Sequence, residues 1–333
     1  MAAVARKSSQ QARGRATVGT SRTATPTTGT AAATVDAINP RQPCPCGSGR
    51  RYKACHGAAD AADLIVTRPF QGLAAEPELV ALREFVPSAT APLTLLDPPD
   101  GDAPTITLCS VLPGAAAALT RADGSILVGL QVQTHSGDLA RDVGASLEWA
   151  LSAEPSSILP VVGRATFGAR LGDLVVDAPL NVTVHPDFAW WLEEAPEPGS
   201  ELAVTLERAN AAIMPTVKVA DLPGVYWVDT AEKAHLRWVR TEDEAPLMAA
   251  LARLAAADSL DLGEGSRYVG SFRAHGCLVP VWDLDREAHP SEWDEPVTVF
   301  AARLAQALAV EAPLTGVERR ARDGLLGRQF TLR

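Results

Sequence analysis

The feature that most constrains this chain is a cluster of metal-binding side chains near its N-terminus. Cys44, Cys46, Cys55 and His56 follow one another in the spacing C-x-C-x8-C-H. Zinc takes about four thiolate or imidazole ligands in a tetrahedron, and four protein ligands are typical of a structural site because a catalytic zinc keeps one position open. The sequence therefore predicts that these four residues bind one structural Zn²⁺ ion.

The number and placement of the cysteines favour a metal site over a disulfide scaffold. The chain has five cysteines, an odd number, and three of them lie in the cluster. Clustering beside a histidine indicates a metal site in a reducing compartment. Gly47 and Gly49 permit a tight turn after the first two ligands. A module this small has little core, so metal binding would supply its folding energy, on the order of 10 kcal/mol.

The charge of the chain is unevenly distributed. The net charge is -10, yet residues 1–60 hold nine Lys or Arg against Asp36 and Asp60, which is +7, and the rest is -17. A basic head is suited to contact nucleic acid or another anion, and it is equally suited to fold back on the acidic body.

The metal cluster lies within a longer pattern that resembles a known family. The residues of 43–57 read PCPCGSGRRYKACHG. This segment resembles the SEC-C motif, a zinc module found at the C-terminus of the SecA preprotein translocase motor and on many unrelated bacterial proteins. The resemblance implies zinc binding by the same four ligands. The sequence contains no G-x-x-x-x-G-K-[ST] phosphate loop. The resemblance therefore does not extend to the motor, and an ATPase motor is not expected.

The same resemblance implies a partner. The SecA module contacts a chaperone and the ribosome, and the equivalent exposed candidates here are Arg50, Arg51, Tyr52 and Lys53. Cations flanking an aromatic ring suit a phosphate backbone or an acidic protein surface. The alternative is that Tyr52 packs over the zinc loop and the cations are solvated. The remaining chain, from Arg68-Pro69-Phe70 through Val80-Ala81-Leu82-Arg83-Glu84 to the tail 325–333, resembles a bacterial family without known activity. That resemblance implies a cytoplasmic location.

The composition predicts six segments. Residues 1–37 lack large apolar side chains and are expected to be a disordered basic tail, although they also resemble a transit peptide. The zinc module is expected at 38–58, a Pro-rich linker with a short helix at 59–100, and a basic tail at 313–333. Two α+β units are expected at 101–214 and 215–312. No run of ~18 apolar residues predicts a membrane span, and no secretory signal is expected.

The two α+β units are interpreted as an internal repeat of β-β-β-α-β-β-α type with largely antiparallel sheets. Leu112-Pro113-Gly114 corresponds to Leu222-Pro223-Gly224, and each is followed by strands and a helix. Segment 170–180 corresponds to 267–278, and His185-Pro186 to His289-Pro290. Consecutive strands with tight turns favour antiparallel pairing. A chance likeness between two ordinary α+β stretches is the alternative.

No catalytic motif stands out in these units. Cys277 lies two residues after His275, and residues two apart in a strand share a face, so a thiol–imidazole pair is conceivable. Cys109 is expected in the core, and His185 and His289 are expected to begin helices before Pro. No catalytic residue is therefore assigned.

Two hypotheses of different classes follow. The first is a non-catalytic adaptor that uses the zinc module to bind a protein, a ribosome or a nucleic acid. The alternative is an enzyme with an unrecognised active site between the two α+β units, which an accessible polar cleft at that place would favour.

Overall fold

The computed structural model of the chain describes residues 65–99, 101, 103–162 and 168–328, together with the single residues Arg41 and Arg51. The chain divides into two compact units, residues 1–58 and 59–333. The expected disordered tail at 1–37 and nearly all of the expected zinc module at 38–58 lie outside the described residues. The architecture below is that of the second unit.

The first half of this unit alternates short strands and helices. In chain order it contains α1 (Glu76–Glu84), β1 (Ala89–Leu93), β2 (Ile106–Cys109), β3 (Ala118–Thr120), β4 (Ile126–Gly129), α2 (Leu139–Ser152), β5 (Ile158–Leu159), α3 (Leu171–Leu174), β6 (Thr183–Val184) and α4 (Glu201–Ala211). Its six strands form one sheet in the order β5-β3-β4-β2-β1-β6. All pairs are antiparallel except β2 and β4.

The second half forms a five-stranded, fully antiparallel sheet. It contains β7 (Thr216–Lys218), β8 (Val225–Asp229), β9 (Ala234–Trp238), α5 (Glu244–Ala256), β10 (Ser266–Ala274), β11 (Cys277–Leu284), α6 (Asp294–Leu308) and α7 (Gly316–Leu326). The strand order is β10-β11-β9-β8-β7. Two largely antiparallel sheets with helices confirm the predicted α+β class.

The second sheet separates two hydrophobic cores. Successive side chains of a strand point to opposite faces, so Tyr226 packs in one core and Trp227 in the other. The first core joins one face of this sheet to α1, α2 and the first sheet. The second core joins the other face to α5, α6 and α7, with Trp282 and Phe300 5.1 Å apart between ring centroids.

Two local expectations differ from the structure. The segment expected to be a linker, 59–100, contributes α1 and β1, and Leu79, Val80 and Leu82 are buried in the first core. Two of its prolines, Pro77 and Pro92, fall at a helix start and in a strand of the sheet, so these two do not mark a linker. The alternation of Ile126, Val128 and Leu130 predicts one buried face for β4, yet both faces are buried. Ile126 and Val128 pack in the first core, and Leu127 packs on the other face in a small cluster with Leu112 and Ala116.

The two halves share an order of elements but not an order of strands. From β2 and from β7 onward, each reads β-β-β-α-β-β-α when α3 is set aside. In the first half, β2 lies beside β4 and pairs with it in parallel. In the second half, the counterpart of β2 is β7, which lies beside β8, the counterpart of β3, and pairs with it antiparallel. Segment 170–180 begins with α3, whereas 267–278 is mainly the long strand β10. The pairing gives the duplication no support, and it stays an unverified hypothesis.

The segment expected to be a C-terminal tail begins with an ordered helix. Helix α7 starts at a capping box in which Thr315 and Glu318 accept each other's backbone N–H, and it packs on α5. Leu325 is its buried anchor in the second core. Within the described ranges, no helix is both long and apolar enough to span a membrane.

Candidate functional site

The metal ligands predicted from sequence lie outside the described residues. This holds for Cys44, Cys46, Cys55 and His56, and also for the partner candidates Arg50, Tyr52 and Lys53; Arg51 is described and is exposed to solvent. Among the residues that the structure does describe, no group of three or more His, Cys, Asp or Glu side chains is arranged to hold a metal ion. The body therefore offers no described alternative to the N-terminal cluster.

The conceivable thiol–imidazole pair is not formed. His275 and Gly276 are the two central residues of the β10–β11 hairpin, and both have positive φ, as primed two-residue turns require. The His275 Nε2 atom lies 2.7 Å from Glu84 Oε1, whereas the Cys277 thiol donates to Glu76 Oε1 at 3.7 Å. Each side chain thus contacts a different carboxylate of α1.

The Cys277 thiol is unsuited to act as a nucleophile. It is buried, and desolvation together with the Glu76 carboxylate raises its pKa to about 12, although Arg68 opposes the shift. The thiolate is the reactive form of cysteine, so a thiol with this pKa is almost entirely protonated at neutral pH. Cys109 is also buried, as expected, and desolvation raises its pKa too.

Helix α1 carries a polar network that sequence reasoning missed. Arg68 Nε and Nη2 donate to the two carboxylate oxygens of Glu76 at 2.7 and 2.9 Å, and Nη2 also donates to the Thr241 carbonyl at 2.5 Å. Glu76 is buried at the first turn of α1. The ion pair therefore joins the segment before α1, the helix itself and the loop after β9.

A second buried carboxylate of α1, that of Glu78, is paired with side chains of the second sheet. The Tyr226 hydroxyl donates to Glu78 Oε2, and Lys218 Nζ lies 3.0 Å from Glu78 Oε1. Tyr226 is fully buried, and desolvation followed by the Glu78 charge raises its pKa well above the ordinary value. The phenol stays protonated and acts as a hydrogen-bond donor, so this group anchors α1 to β7 and β8.

Few features of the sequence indicate this network. Glu76 and Glu78 flank Pro77 at the start of a helix, where acidic side chains ordinarily interact with the helix dipole in solvent. The apolar run 79–82 places the helix in the core, and the two glutamates are carried inward with it. The available signal was that two acidic residues directly precede this apolar run.

The two His-Pro sequences have different roles. His289 caps the short 3-10 helix Pro290–Trp293, where its ring accepts from the Ser291 N–H. His185 follows β6; its Nε2 lies 2.8 Å from Thr90 Oγ1 and its ring lies beside Trp190, with centroids 5.6 Å apart. Desolvation lowers the pKa of His185. The two rings do not line a common cleft.

Three cavities stand out in the described part of the body, and one of them borders the α1 network at Lys218. A groove of about 800 Å³ runs between α5, β10 and α7. A second groove, of about 710 Å³, lies between Lys218 and the start of α6. A cavity of about 10 Å³, near the size of one water, lies between Arg83 and Asp142. Neither groove opens between the two sheets, where the enzyme hypothesis expected an accessible site.

The structure and sequence together define a protein with a two-sheet α+β body and a cysteine-rich segment near its N-terminus. The chain belongs to the family of unknown function DUF5926, whose profile matches residues 69–333. The SEC-C motif profile matches residues 41–58. Both resemblances drawn from the sequence are thereby confirmed.

The protein translocase subunit SecA of Myxococcus xanthus (strain DK1622) is similar to this chain over a short stretch. The two are 61% identical over 31 residues, which is 9% of this chain and 3% of that SecA. The similarity is thus limited to a small module and does not include the rest of either protein. No solved structure matches the chain.

Proposed function

We propose that this protein binds one structural zinc ion through Cys44, Cys46, Cys55 and His56, and that the resulting module attaches the α+β body to a partner in the cytoplasm. The observation that carries this proposal is the SEC-C match at residues 41–58, which spans all four ligands. The similarity to a SecA subunit, 61% identical over 31 residues, agrees with this motif match.

The chemistry of the donor set fits zinc. Three thiolates and one imidazole are soft or borderline ligands in the number that a closed zinc site takes. Together with the ion they carry a charge of -1, which Arg50, Arg51 and Lys53 are placed in sequence to offset. Bound zinc would supply the folding free energy of a segment too small to have its own core.

The partner surface that we propose consists of Arg50, Arg51, Tyr52 and Lys53. These cations stand out because the chain beyond residue 60 is strongly acidic. A basic module on an acidic body suits a phosphate backbone or an acidic protein surface, and it disfavours association with another copy of the acidic body. A protein partner and a ribosomal or RNA partner are both compatible with this charge.

The domain plan is part of the same proposal. It consists of a basic tail at 1–37, the zinc module at 38–58 and the family body, within which the boundaries 101–214 and 215–312 separate the two α+β halves. The body would serve as a scaffold or as a second binding surface.

The enzyme alternative has weaker support. The polar groups between α1 and the second sheet are buried and paired with one another, as in Arg68–Glu76 and Tyr226–Glu78. An active site needs groups that reach a substrate. These groups are instead arranged to stabilise the packing of α1.

Affinity purification of tagged protein from its own cytoplasm tests the proposal. We expect the Cys44→Ser, Cys46→Ser double variant and the Arg50→Glu, Arg51→Glu, Lys53→Glu triple variant to lose the same partners. A matched control reverses Arg319, Arg320 and Arg322 on α7, which changes the charge equally at a different place. Ribonuclease treatment separates RNA-mediated from protein-mediated recovery. Equal recovery by all variants would count against the adaptor function.

A further inference from the structure

Arg237 is a buried cation whose guanidinium has no hydrogen-bond or ion-pair partner among the described residues. It lies in the middle of β9, and its residue surface is only 7% exposed. Its guanidinium carbon stands 5.5 Å from the centroid of the Phe85 ring, a cation–π contact. Within the described part of the chain it makes no hydrogen bond and no ion pair. Desolvation lowers the pKa of Arg237, and no carboxylate offsets this.

The neighbours of Arg237 explain why it is unpaired. In the sheet it lies opposite Tyr226 on β8 and Val281 on β11. The Tyr226 hydroxyl is committed to Glu78, and Val281 has no polar side-chain atom. A charged group in this environment is costly unless something satisfies it, because arginine keeps its proton in proteins.

The guanidinium nitrogens are nevertheless not sealed from solvent. Several buried polar atoms in the described residues have neither a partner nor solvent contact, such as Arg83 Nε and Trp227 Nε1, and no atom of Arg237 is among them. The largely buried Arg237 side chain therefore keeps its donors in contact with solvent, where water or a small molecule can reach them.

Several basic side chains lie along the same face of the second sheet as Arg237. His235 lies two residues before Arg237 on the same face of β9. Asp283 is shared by three basic groups: Lys233 Nζ at 2.6 Å, Arg267 Nη2 at 3.1 Å and His235 Nε2 at 3.3 Å. Burial, Arg237 and Lys233 lower the pKa of His235, although Asp283 raises it. His235 is therefore neutral at neutral pH, and one carboxylate among three cations, Lys233, Arg267 and Arg237, leaves a positive local field in an acidic body.

We propose that Arg237 is the base of a binding site for a small oxyanion, a carboxylate or a phosphate group of a low-molecular-weight ligand. The planar guanidinium matches both groups with two parallel hydrogen bonds, which lysine does not provide. The small exposed fraction of Arg237 restricts the site to a narrow ligand. Phe85 and Val281 supply apolar walls, while His235 lies toward the basic rim. This inference goes beyond the zinc module and does not depend on it.

Thermal unfolding of the full chain tests the site. Inorganic phosphate and sodium acetate are titrated separately, with chloride keeping the ionic strength constant. A ligand that binds the folded state raises Tm in a saturable way. We expect this rise in wild type, no rise in Arg237→Met, and an unchanged rise in Arg273→Met, which removes an exposed arginine paired with Glu244 at the edge strand. The series that raises Tm identifies phosphate or carboxylate as the ligand class.

A second variant keeps the test decisive if Arg237→Met does not fold. Arg237→Lys retains the charge and loses the two-point fork, so equilibrium dialysis with the anion found for wild type should give ~tenfold weaker binding. An absent or non-saturating response in wild type would overturn the proposal. So would the same response in Arg237→Met, or equal affinity in Arg237→Lys.

Discussion

Arg68 and Glu76 form a two-point ion pair in which Nε and Nη2 each donate to one carboxylate oxygen, at 2.7 and 2.9 Å. The backbone of Arg68 packs closely on the β10–β11 hairpin. A Cβ atom added at Gly276 would lie only 2.8 Å from the Arg68 Cβ. Together with the Tyr226–Glu78 bond, the ion pair makes α1 the element that joins the two halves of the body. The stability of the body should therefore depend on the polar contacts of α1.

The first prediction concerns the ion pair itself. Glu76→Gln keeps the shape of the side chain but leaves the largely buried Arg68 charge without its carboxylate. Breaking one partner of a buried pair costs about 3 kcal/mol, so the free energy of unfolding in urea should fall by that order. Arg322→Gln, which breaks an exposed pair with Asp323, is the control and should change little. Equal effects of the two variants would contradict the role of α1.

The second prediction compares two buried tyrosines. Tyr226 is 0% exposed and its hydroxyl donates to Glu78, whereas Tyr268 is 3% exposed and its hydroxyl has no hydrogen-bond partner among the described residues. Tyr226→Phe should destabilise by about 2 kcal/mol, because a buried carboxylate loses its donor. Tyr268→Phe should be neutral or slightly stabilising. Matched thermal and urea unfolding of both variants measures the difference, and a larger loss in Tyr268→Phe would refute the assignment.

The third prediction is a dependence of stability on pH. The contact with His275, aided by the charge of Arg83 and opposed by desolvation, lowers the pKa of Glu84 in the folded protein. A carboxyl group whose folded pKa is depressed stabilises the fold above its unfolded pKa, ~4.3 for glutamate, and that contribution is lost as the pH falls through the folded pKa.

The variant Glu84→Gln should therefore lose less stability than wild type between neutral pH and about pH 3. At neutral pH it should already be the less stable of the two. Urea unfolding at a series of pH values gives the slopes. Glu287→Gln, at an exposed position, serves as the control and should follow the wild-type curve. Parallel curves for wild type and Glu84→Gln would show that the His275 contact does not contribute.

The fourth prediction tests the packing of α7. Leu325 is 3% exposed in the second core, and the adjacent Leu326 is 43% exposed. Leu325→Ala should cost about 3 kcal/mol through lost burial and the cavity left behind. Leu326→Ala should stay within about 0.5 kcal/mol of wild type. If both variants unfold at the same urea concentration, α7 is not anchored through Leu325.

The fold class followed from periodicity, but the strand pairing did not. The order of strands and helices in 215–312 was readable from local patterns, and the antiparallel second sheet agrees with it. The parallel pairing of β2 with β4 depends on where the intervening strand β3 packs, and no local pattern specifies that. Helix α1 was visible in the sequence, but its place in the core was not, because proline-rich flanks resemble a linker.

The candidate sites also differ in how far they could be predicted from the sequence. The zinc ligands could be proposed from the sequence because metal chemistry restricts both residue type and spacing within a few positions. Arg237 and Tyr226 belong to strands that are mostly buried, and their roles depend on which side chains face them across the sheet. Such pairings become visible only when the register of the strands is known.

The zinc content of the purified full chain, measured together with thiol reactivity, tests the central claim most directly. We expect one zinc per chain, and almost none in the Cys44→Ser, Cys46→Ser variant. In native zinc-loaded protein all five cysteines should react slowly, since Cys109 and Cys277 are buried. A chelator should then expose three thiols, and denaturation all five. Wild-type protein without zinc, or a double variant that retains a full equivalent, would contradict the proposed zinc module.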